Sequence, residues 1–411
     1  MRNKIICLLL VMIAFLVSFN YFKVLVIETK SVDTERMLAM NLEQTFGAGD
    51  YKLVTQSNWP TEGYKFNAEL SRCENDSALS WDSNKSAVVF HGRVTDKCYI
   101  YFDKMPQMTL VEYVLSQYTG VQGENNIYYH DSSLTNGAKD NSYRYAGASD
   151  SVNNFVCFGT DATPCPENNL YRIVGVIDDK VKLIKYDYAS SDLLGTDGDY
   201  KGSFSPDATY YKGSLTTIQE YYFNYKTTNT YSNDWNTSLL NKVNLNTNFL
   251  NNIGSVWANM IEDAIWKVSG YNSYSVTAKA MYTAEITNAT KTYGPTNGTS
   301  KIGLMYASDY GFAASPSAWT KTLNNYNGND ANGISILSIN WMYMGVPEWL
   351  IIPWSSNSFT KFFLNNNGSV SIIENYNSIK MGSRPTFYLK DSIKYVEGLG
   401  TKDSPIIITI D

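Results

Sequence analysis

The spacing of hydrophobic residues changes along the chain, and each change predicts a different kind of structure. An apolar run over residues 5–17 resumes at 24–27, which is long enough to cross a membrane. Short segments rich in β-branched and aromatic residues predominate between 51 and 104, and longer segments of mixed spacing follow. The pattern predicts a signal anchor or signal peptide over 1–30, a helical stalk over 31–50, a small β module over 51–104 and an α+β domain over 105–411.

The N-terminal segment has the features of an export signal. Arg2 and Lys4 precede the apolar run, as in the positively charged start of a signal peptide. No small-x-small cleavage site follows, although Asn20 and Lys23 weaken the end of the apolar stretch. We therefore expect the protein to be extracellular or on the cell surface, attached to a membrane by this segment or secreted after cleavage.

The predicted stalk and β module are short elements separated by turn residues. Residues 31–47 read as a helix that Asp33 or Thr34 caps and Gly47 ends. Strands are predicted at 51–55, 64–66, 78–81, 86–90 and 98–102. A module this small is marginal without a covalent staple.

The larger domain opens with a helix and a hairpin. A helix is predicted over 108–118, with Thr109 and Glu112 at the spacing of a capping box, followed by a loop over 119–154. Strands at 170–177 and 180–186 flank a turn at Asp178-Asp179. Lys182 and Lys185 interrupt apolar positions in the second strand, which predicts a hairpin with one solvent-facing side.

The remainder of this domain is predicted to be helical first and β afterwards. Helices are expected at 214–225, 236–253 and 255–268. A strand at 301–306, a turn at 308–311 and a polar loop at 324–333 follow. Further strands are expected at 340–344, 348–352, 361–364, 369–373 and 386–389. A last strand at 405–410 is expected to close the domain by pairing with an early strand.

The composition argues against some kinds of binding partner and favours others. The 411 residues are 44% apolar, so sizeable cores are available, and the formal net charge of −6 argues against a nucleic-acid partner. The 32 tyrosines and 9 tryptophans supply amphipathic rings that suit contact with a glycan or a protein. The same rings also serve as ordinary core and strand residues.

Four cysteines follow Cys7 of the apolar segment, and their spacing favours two local disulfides. Pairing Cys73 with Cys98 and Cys157 with Cys165 keeps each bridge inside one module. Loop entropy alone gives roughly 3.5 kcal/mol for the first bridge and about 2.6 kcal/mol for the second. The two histidines are far apart and no C-x-x-C occurs, which disfavours zinc.

Candidate chemistry is sparse, and it gathers near the C-terminus. No Ser/His/Asp arrangement, P-loop or dinucleotide fingerprint is present. Asp309 and Glu348 could serve as the two carboxylates of a glycan hydrolase, but an ion pair of Glu348 with Arg384 is the stronger interpretation. The candidate ligand-binding residues are Tyr306, Asp309, Tyr310, Trp341, Glu348, Trp349 and Arg384.

Two loops carry oxygen ligands that a calcium ion could use. They are Asp197-Gly-Asp199 and residues 327–333, which include Asp330 and Asn332. Neither continues to the glutamate that an EF-hand places at its twelfth position, and Gly/Asn/Asp loops are usually turns. We predict no metal and no cofactor.

Several segments resemble a family of uncharacterised exported proteins from low-GC Gram-positive gut bacteria. They are the residues at 140–147 (DNSYRYAG), 154–161 (NFVCFGTD), 169–176 (NLYRIVGV), 302–311 (IGLMYASDYG) and 383–389 (SRPTFYL). The region with Cys73 and Cys98 is similar to the small cysteine-paired β module that accompanies this family. The resemblance implies this architecture and no activity.

A weaker likeness runs to the C-type-lectin-like fold of sulfatase-modifying factors. Residues 345–349 (GVPEW), 367–369 (NGS) and Arg384-Pro385 stand in comparable order. The catalytic cysteines of that enzyme class have no counterpart at these positions.

Together these features favour a binding or structural protein over an enzyme. The leading prediction is a surface or secreted protein whose lectin-like domain recognises a glycan or protein ligand through aromatic side chains. A glycan hydrolase using Asp309 and Glu348, and a subunit of a surface assembly, are the alternatives. The oligomeric state stays open.

Overall fold

The computed structural model describes residues 38–45, 47–54, 63–75, 77–82, 87–92, 96–104, 108–225, 232–287, 295–374 and 381–409. The chain divides into two compact units, Met1–Gln107 and Met108–Asp411. The N-terminal segment, with its predicted anchor and Cys7, lies outside the described residues.

Within the described ranges, no helix combines the length and apolar character needed to cross a membrane.

The first unit is built from short strands, as predicted. They are β1 Leu38–Glu43, β2 Tyr51–Val54, β3 Tyr64–Phe66, β4 Arg72–Cys73, β5 Ala78–Asp82, β6 Ala87–His91 and β7 Cys98–Lys104. Five form one sheet in the order β2-β1-β7-β3, with β4 also on β7, and β5 pairs with β6. Strand β7 lies at the centre because its alternate residues Ile100 and Phe102 are buried in the core of the unit.

The predicted helical stalk is wrong where it can be compared. Residues Leu38–Glu43 form a strand that runs parallel to β7, while residues 31–37 lie outside the described residues. Met40 and Leu42 are both buried against Ile100 and Phe102. A period of two thus places both residues in the core, and sheet pairing overrides the helix propensity of the segment.

Both predicted disulfides are confirmed. Cys73 faces Cys98 across the β4–β7 pair, with their Cα atoms 4.0 Å apart. Cys157 joins Cys165 at a Cα separation of 5.9 Å. One bridge therefore lies in each unit.

The second unit is a mixed α+β domain. Its helices are α1 Leu110–Ser116, α2 Ser191–Leu194, α3 Leu250–Asn252, α4 Ser255–Met260, α5 Ala278–Tyr282 and α6 Ala307–Ala313. Two π-helical stretches are Leu240–Phe249 and Thr283–Thr287. Single 3₁₀ turns are Glu124–Asn126, Glu167–Asn169, Trp235–Thr237, Pro316–Ala318, Leu323–Asn325 and Ile336–Ser338.

Its strands form one large sheet and several small ones. They are β8 Ile127–Tyr129, β9 Tyr143–Tyr145, β10 Phe155–Cys157, β11 Leu170–Ile177, β12 Lys180–Lys185, β13 Tyr200–Phe204, β14 Ile218–Tyr221, β15 Ala264–Lys267, β16 Asn297–Ser300, β17 Ile302–Gly303, β18 Glu348–Pro353, β19 Thr360–Leu364, β20 Val370–Glu374, β21 Thr386–Tyr388, β22 Lys394–Glu397 and β23 Ile407–Thr409. The large sheet has the order β17-β21-β12-β11-β9-β8, with β10 also on β11. The β18-β19-β20 sheet and the pairs β13–β14, β15–β16 and β22–β23 complete the topology of the described part.

Local signals in the sequence account for the start of this domain. Thr109 and Glu112 form the predicted capping box at α1, with both reciprocal hydrogen bonds present. Asp178 and Asp179 have φ of 50° and 59°, the left-handed conformation that a two-residue hairpin turn requires. The β11–β12 hairpin is therefore confirmed with its turn.

The middle of the domain corrects several helix and strand predictions. Residues 214–225 contain strand β14, not a helix, and the helix predicted over 255–268 ends at Met260. Beyond it, the N–H of Glu262 donates to the carbonyl of Tyr388 at 2.8 Å and β15 pairs with β16. Sheet partners distant in sequence thus overrule the local helical spacing.

Three C-terminal predictions also need correction or refinement. The turn expected at 308–311 is part of helix α6, and residues 340–344 form no strand. The last strand pairs with β22. Just before it, the Ile406 N–H donates to the Phe155 carbonyl and the Ile406 carbonyl accepts from the Cys157 N–H of β10, both at 2.9 Å. The expected closure against an early strand is therefore made by the residue before β23.

Candidate functional site

The seven predicted ligand-binding residues fall into two groups, and the first is centred on a buried ion pair. The Arg384 Nε and Nη2 atoms donate to Glu348 Oε2 and Oε1 at 2.8 and 2.7 Å, and Nη2 also donates to the Met342 carbonyl at 2.8 Å. Glu348 is 1% exposed and Arg384 3%. Burial opposes a charged guanidinium, yet Glu348 outweighs it and raises the pKa of Arg384. The pair is a structural one.

Three aromatic residues of the set are core residues. The indole N–H of Trp341 donates to the Tyr145 carbonyl at 2.8 Å, and that of Trp349 to the Tyr221 carbonyl at 2.8 Å. The Tyr310 hydroxyl donates to the Gly368 carbonyl at 2.9 Å. Their polar atoms are satisfied and their rings are buried, so they do not form the aromatic surface that the sequence predicted.

The second group surrounds Asp309, which lies in the first turn of α6. Lys182 Nζ is 2.6 Å from Asp309 Oδ2, and Arg144 Nη1 is 3.1 Å from Asp309 Oδ1. Arg144 also contacts Asp140 at 2.8 Å. Asp309 Oδ2 further accepts the Tyr306 N–H at 3.1 Å, which closes the N-terminus of the helix. This cluster balances two buried cations with two carboxylates.

Lys182 corrects the prediction of a solvent-facing side on the hairpin. Lys182 and Lys185 are 1% and 2% exposed, because β12 is an inner strand of the large sheet and is covered. The ammonium of Lys182 lies 4.6 Å from the Tyr306 ring centroid, 5.3 Å from that of Tyr388 and 5.4 Å from that of Trp266. A cavity of about 80 Å³ borders the cluster and is lined by Arg144, Lys182, Tyr306, Asp309 and Tyr388 among others.

Glu285 is a second buried acid at the same helix terminus. Its carboxylate oxygens accept the N–H groups of Ala307 and Ser308 at 3.0 and 3.2 Å. Burial, reinforced by the charge of Asp309, raises the pKa of Glu285 to about 8. This acid therefore holds its proton at neutral pH.

The raised pKa of Glu285 predicts that the stability of the protein depends on pH. Its pKa is about 8 in the folded state against 4.5 as the reference, so the folded state holds a proton that the unfolded state has lost. Burial also lowers the pKa of His130 from 6.5 to about 3, which offsets the effect of Glu285 at lower pH. Burial also lowers the pKa of Lys185 to about 8, which offsets a further part of the Glu285 effect. We therefore expect the free energy of unfolding to fall by about 1 kcal/mol from pH 6.5 to 8.

Urea unfolding followed by tryptophan fluorescence at a series of pH values checks this expectation. Glu285→Gln removes this titrating group and should abolish the fall in stability between pH 6.5 and 8. A wild-type protein whose stability is constant between pH 6.5 and 8 would show that Glu285 titrates normally.

A larger cleft of about 590 Å³ lies elsewhere in the second unit. Its floor is mostly buried and its rim is mostly exposed and polar. The floor residues are Val152, Phe155, Tyr186, Asn340, Tyr343 and Met344, and the rim residues are Ser149, Asp150, Asn153, Lys212, Ser338, Lys402 and Asp403. Leu337 and Thr401 complete the lining. The cleft combines aromatic surface with hydroxyl, amide and charged groups.

The cleft floor is supported by a buried guanidinium. Arg172 lies 4.2 Å from the Phe155 ring centroid and 4.8 Å from that of Trp341. It donates to Ser149 Oγ and Asn154 Oδ1 at 2.8 and 2.6 Å. Burial lowers its pKa to about 9. Arg172 thus fixes the orientation of Phe155 and of the rim residue Ser149.

The two carboxylates of the hydrolase alternative belong to separate networks. Asp309 is held by Lys182 and Arg144, and it borders the small cavity. Glu348 is held by Arg384 and lines neither of the two cavities described above. The arrangement therefore does not present them as a pair to one substrate.

The loops considered for calcium form internal hydrogen bonds. Asp330 Oδ1 accepts the N–H groups of Asn332 and Ile334, both at 2.8 Å, and Asp197 Oδ1 accepts the Asn248 amide at 2.6 Å. Over the described ranges, no group of three or more His, Cys, Asp or Glu residues is arranged to hold a metal ion.

Comparison of the chain with protein-family models, with curated proteins and with solved structures finds no match.

The sequence pointed to Asp309, Glu348 and Arg384 but missed what surrounds them. Arg144, Lys182 and Glu285 were not selected, although Arg144 stands between two tyrosines and Lys182 between apolar residues. A charged residue inside an apolar strand was the available signal for a buried ion pair. The cleft residues come from five separate stretches of the chain, 149–155, 186, 212, 337–344 and 401–403, and carried no common motif.

Proposed function

We propose that this chain is an exported binding protein whose second unit, of lectin-like fold, holds a glycan in the 590 Å³ cleft. The observation that carries the proposal is the cleft itself. Its volume lies within the range of about 300–1,000 Å³ that is usual for small-molecule sites. Its concave form favours a glycan over a flat protein surface.

The chemistry of the cleft matches that of a sugar. The rings of Phe155, Tyr186 and Tyr343 border the floor of the cleft, and although they are mostly buried their edges give a sugar ring a small apolar contact. Asn153 and Asp403 belong to a rim that can donate to and accept from several hydroxyl groups. This division into an apolar floor and a polar rim supports a sugar ligand.

Export and lectin-like fold are parts of the same proposal. Two disulfides support an oxidising compartment, since such bridges are rare in reducing ones. The Glu348–Arg384 pair joins two of the three segments on which the lectin-like resemblance rests, which supports that fold. Attachment through the N-terminal segment remains a prediction from the sequence.

A glycan array probed with the full chain in mild detergent tests the binding function. We expect the wild type to bind a subset of glycans and Ser338→Trp, on the rim, to lose at least tenfold in affinity because an indole would fill the cleft. Ser116→Trp is the matched control, since Ser116 is exposed on α1 and does not line the cleft. Folded wild-type protein that binds nothing, or equal binding by both variants, would contradict the proposal.

A further inference from the structure

Lys182 and Asp309 form a close ion pair in the interior of the second unit. The 2.6 Å between Nζ and Oδ2 joins residues 127 positions apart in the chain. Lys182 lies on the inner strand β12, and Asp309 lies in the first turn of α6. Both side chains are almost fully buried, at 1% and 3% exposed. The amine and the carboxyl group are therefore held together with little competition from water.

The surroundings supply what a condensation between these two groups needs. Arg144 donates to Oδ1, the oxygen that would carry negative charge after attack on Cγ. Glu285 binds the two N–H groups just before Asp309, and its raised pKa leaves it protonated at neutral pH. The adjoining cavity of about 80 Å³ gives a leaving water molecule somewhere to go.

We propose that Lys182 and Asp309 condense to form an intramolecular isopeptide bond between β12 and α6. This proposal is independent of the glycan cleft. It assigns a covalent modification site to residues that hold the inner strand of the large sheet to helix α6.

The step balances without any added reagent. The resting ion pair first becomes neutral when the Lys182 ammonium passes one proton to Asp309 along their hydrogen bond. Nζ then attacks Cγ, the Nζ–Cγ bond forms, and the Cγ–Oδ2 bond breaks. The departing hydroxyl group takes one proton from the amine nitrogen and leaves as water. Ammonium and carboxylate thus become one amide and one water molecule.

The alternative to an isopeptide bond is a permanent ion pair between Lys182 and Asp309. Asp309 raises the pKa of Lys182 although burial opposes it, so the ion pair is the state from which reaction begins. The amide removes both charges from the interior and so ends the cost of burying them. It would also close a long loop covalently, which restricts the unfolded chain.

Peptide mapping by mass spectrometry tests the proposal on the full chain purified at neutral pH. After denaturation, reduction and alkylation, trypsin should release residues 181–185 joined to residues 302–321, with a mass equal to their sum less one water molecule. Trypsin should not cleave after Lys182, because the modified side chain is no longer a substrate. Fragmentation should place the link on Lys182 and Asp309.

Three variants test which residues form the bond. Asp309→Ala should leave residues 302–321 unlinked, and Lys182→Met should leave them unlinked as well. Glu262→Gln alters a surface carboxyl that contacts Lys180 at 3.9 Å, and it should link like the wild type.

The peptide map of the wild-type protein tests the proposed bond even if a variant fails to fold. Folded wild-type protein, with both disulfides present, that yields cleavage after Lys182 and unlinked residues 302–321 after overnight incubation would overturn the proposal.

Discussion

Replacing Arg384 with Met is expected to lower the free energy of unfolding of the second unit by about 3–5 kcal/mol. The substitution leaves Glu348 buried without its cation and removes the donor to the Met342 carbonyl. An unpaired charge at 1% exposure costs far more than a lost surface contact. Urea unfolding at neutral pH, followed by tryptophan fluorescence, measures the loss.

The double variant Glu348→Leu/Arg384→Met is the matched control. Removing both charges leaves no uncompensated ion, so this protein should be more stable than the single Arg384→Met variant. A double-variant loss equal to the sum of the Glu348→Leu and Arg384→Met losses would show that the Glu348–Arg384 pair contributes no more than an exposed one. A loss below about 1 kcal/mol in Arg384→Met alone would show the same.

Removing the Cys73–Cys98 bridge should unfold the first unit alone. Cys73→Ser/Cys98→Ser is expected to cost roughly 3.5 kcal/mol from loop entropy. The described core of this unit has four buried side chains, Met40, Leu42, Ile100 and Phe102, with partly buried apolar residues packed against them. A core of that size leaves little reserve against such a loss. Hydrogen exchange by mass spectrometry should show β1 and β7 losing protection while β11 and β12 keep theirs.

The second disulfide supplies the comparison. Cys157→Ser/Cys165→Ser removes a shorter loop from the larger unit and should cost about 2.6 kcal/mol without unfolding it. Retained protection in β1 and β7 after loss of the Cys73–Cys98 bridge would contradict the dependence of the first unit on its disulfide.

Sequence pattern predicted the elements with strong local signals. The Thr109–Glu112 capping box, the Asp178-Asp179 hairpin and both disulfides depend on residues close together in the chain, and all are confirmed. Strand β1 and strand β14 were taken for helix because their spacing fits both periods over such short lengths. Pairing with neighbouring strands makes both segments strands rather than helices.

The site residues were harder to predict because their meaning depends on burial. Lys182 looks like a solvent-facing strand residue until β21 and the aromatic rings cover it. Trp341 and Trp349 look like surface rings until their indole N–H groups find backbone partners in the core. Only Glu348 with Arg384 was paired correctly, because a carboxylate between apolar residues required a cation.

The cleft was not predicted because its residues share no motif and no spacing. Residues 149–155 and 337–344 are separated by more than half the domain, and of these segments and 401–403 only 340–344 was predicted to form a strand, which the structure does not contain. Their convergence depends on long-range contacts such as those between Phe155 and Ile406. Binding sites built from several loops on a scaffold commonly have this property.

The most direct measurement of the binding claim is hydrogen–deuterium exchange on the full chain, with and without the glycan that binds best on the array. The cleft predicts slower exchange in residues 149–155, 337–344 and 401–403, with the surroundings of Asp309 unchanged. Protection confined to the region around Asp309, or no protection in any of the three cleft segments at saturating glycan, would contradict it.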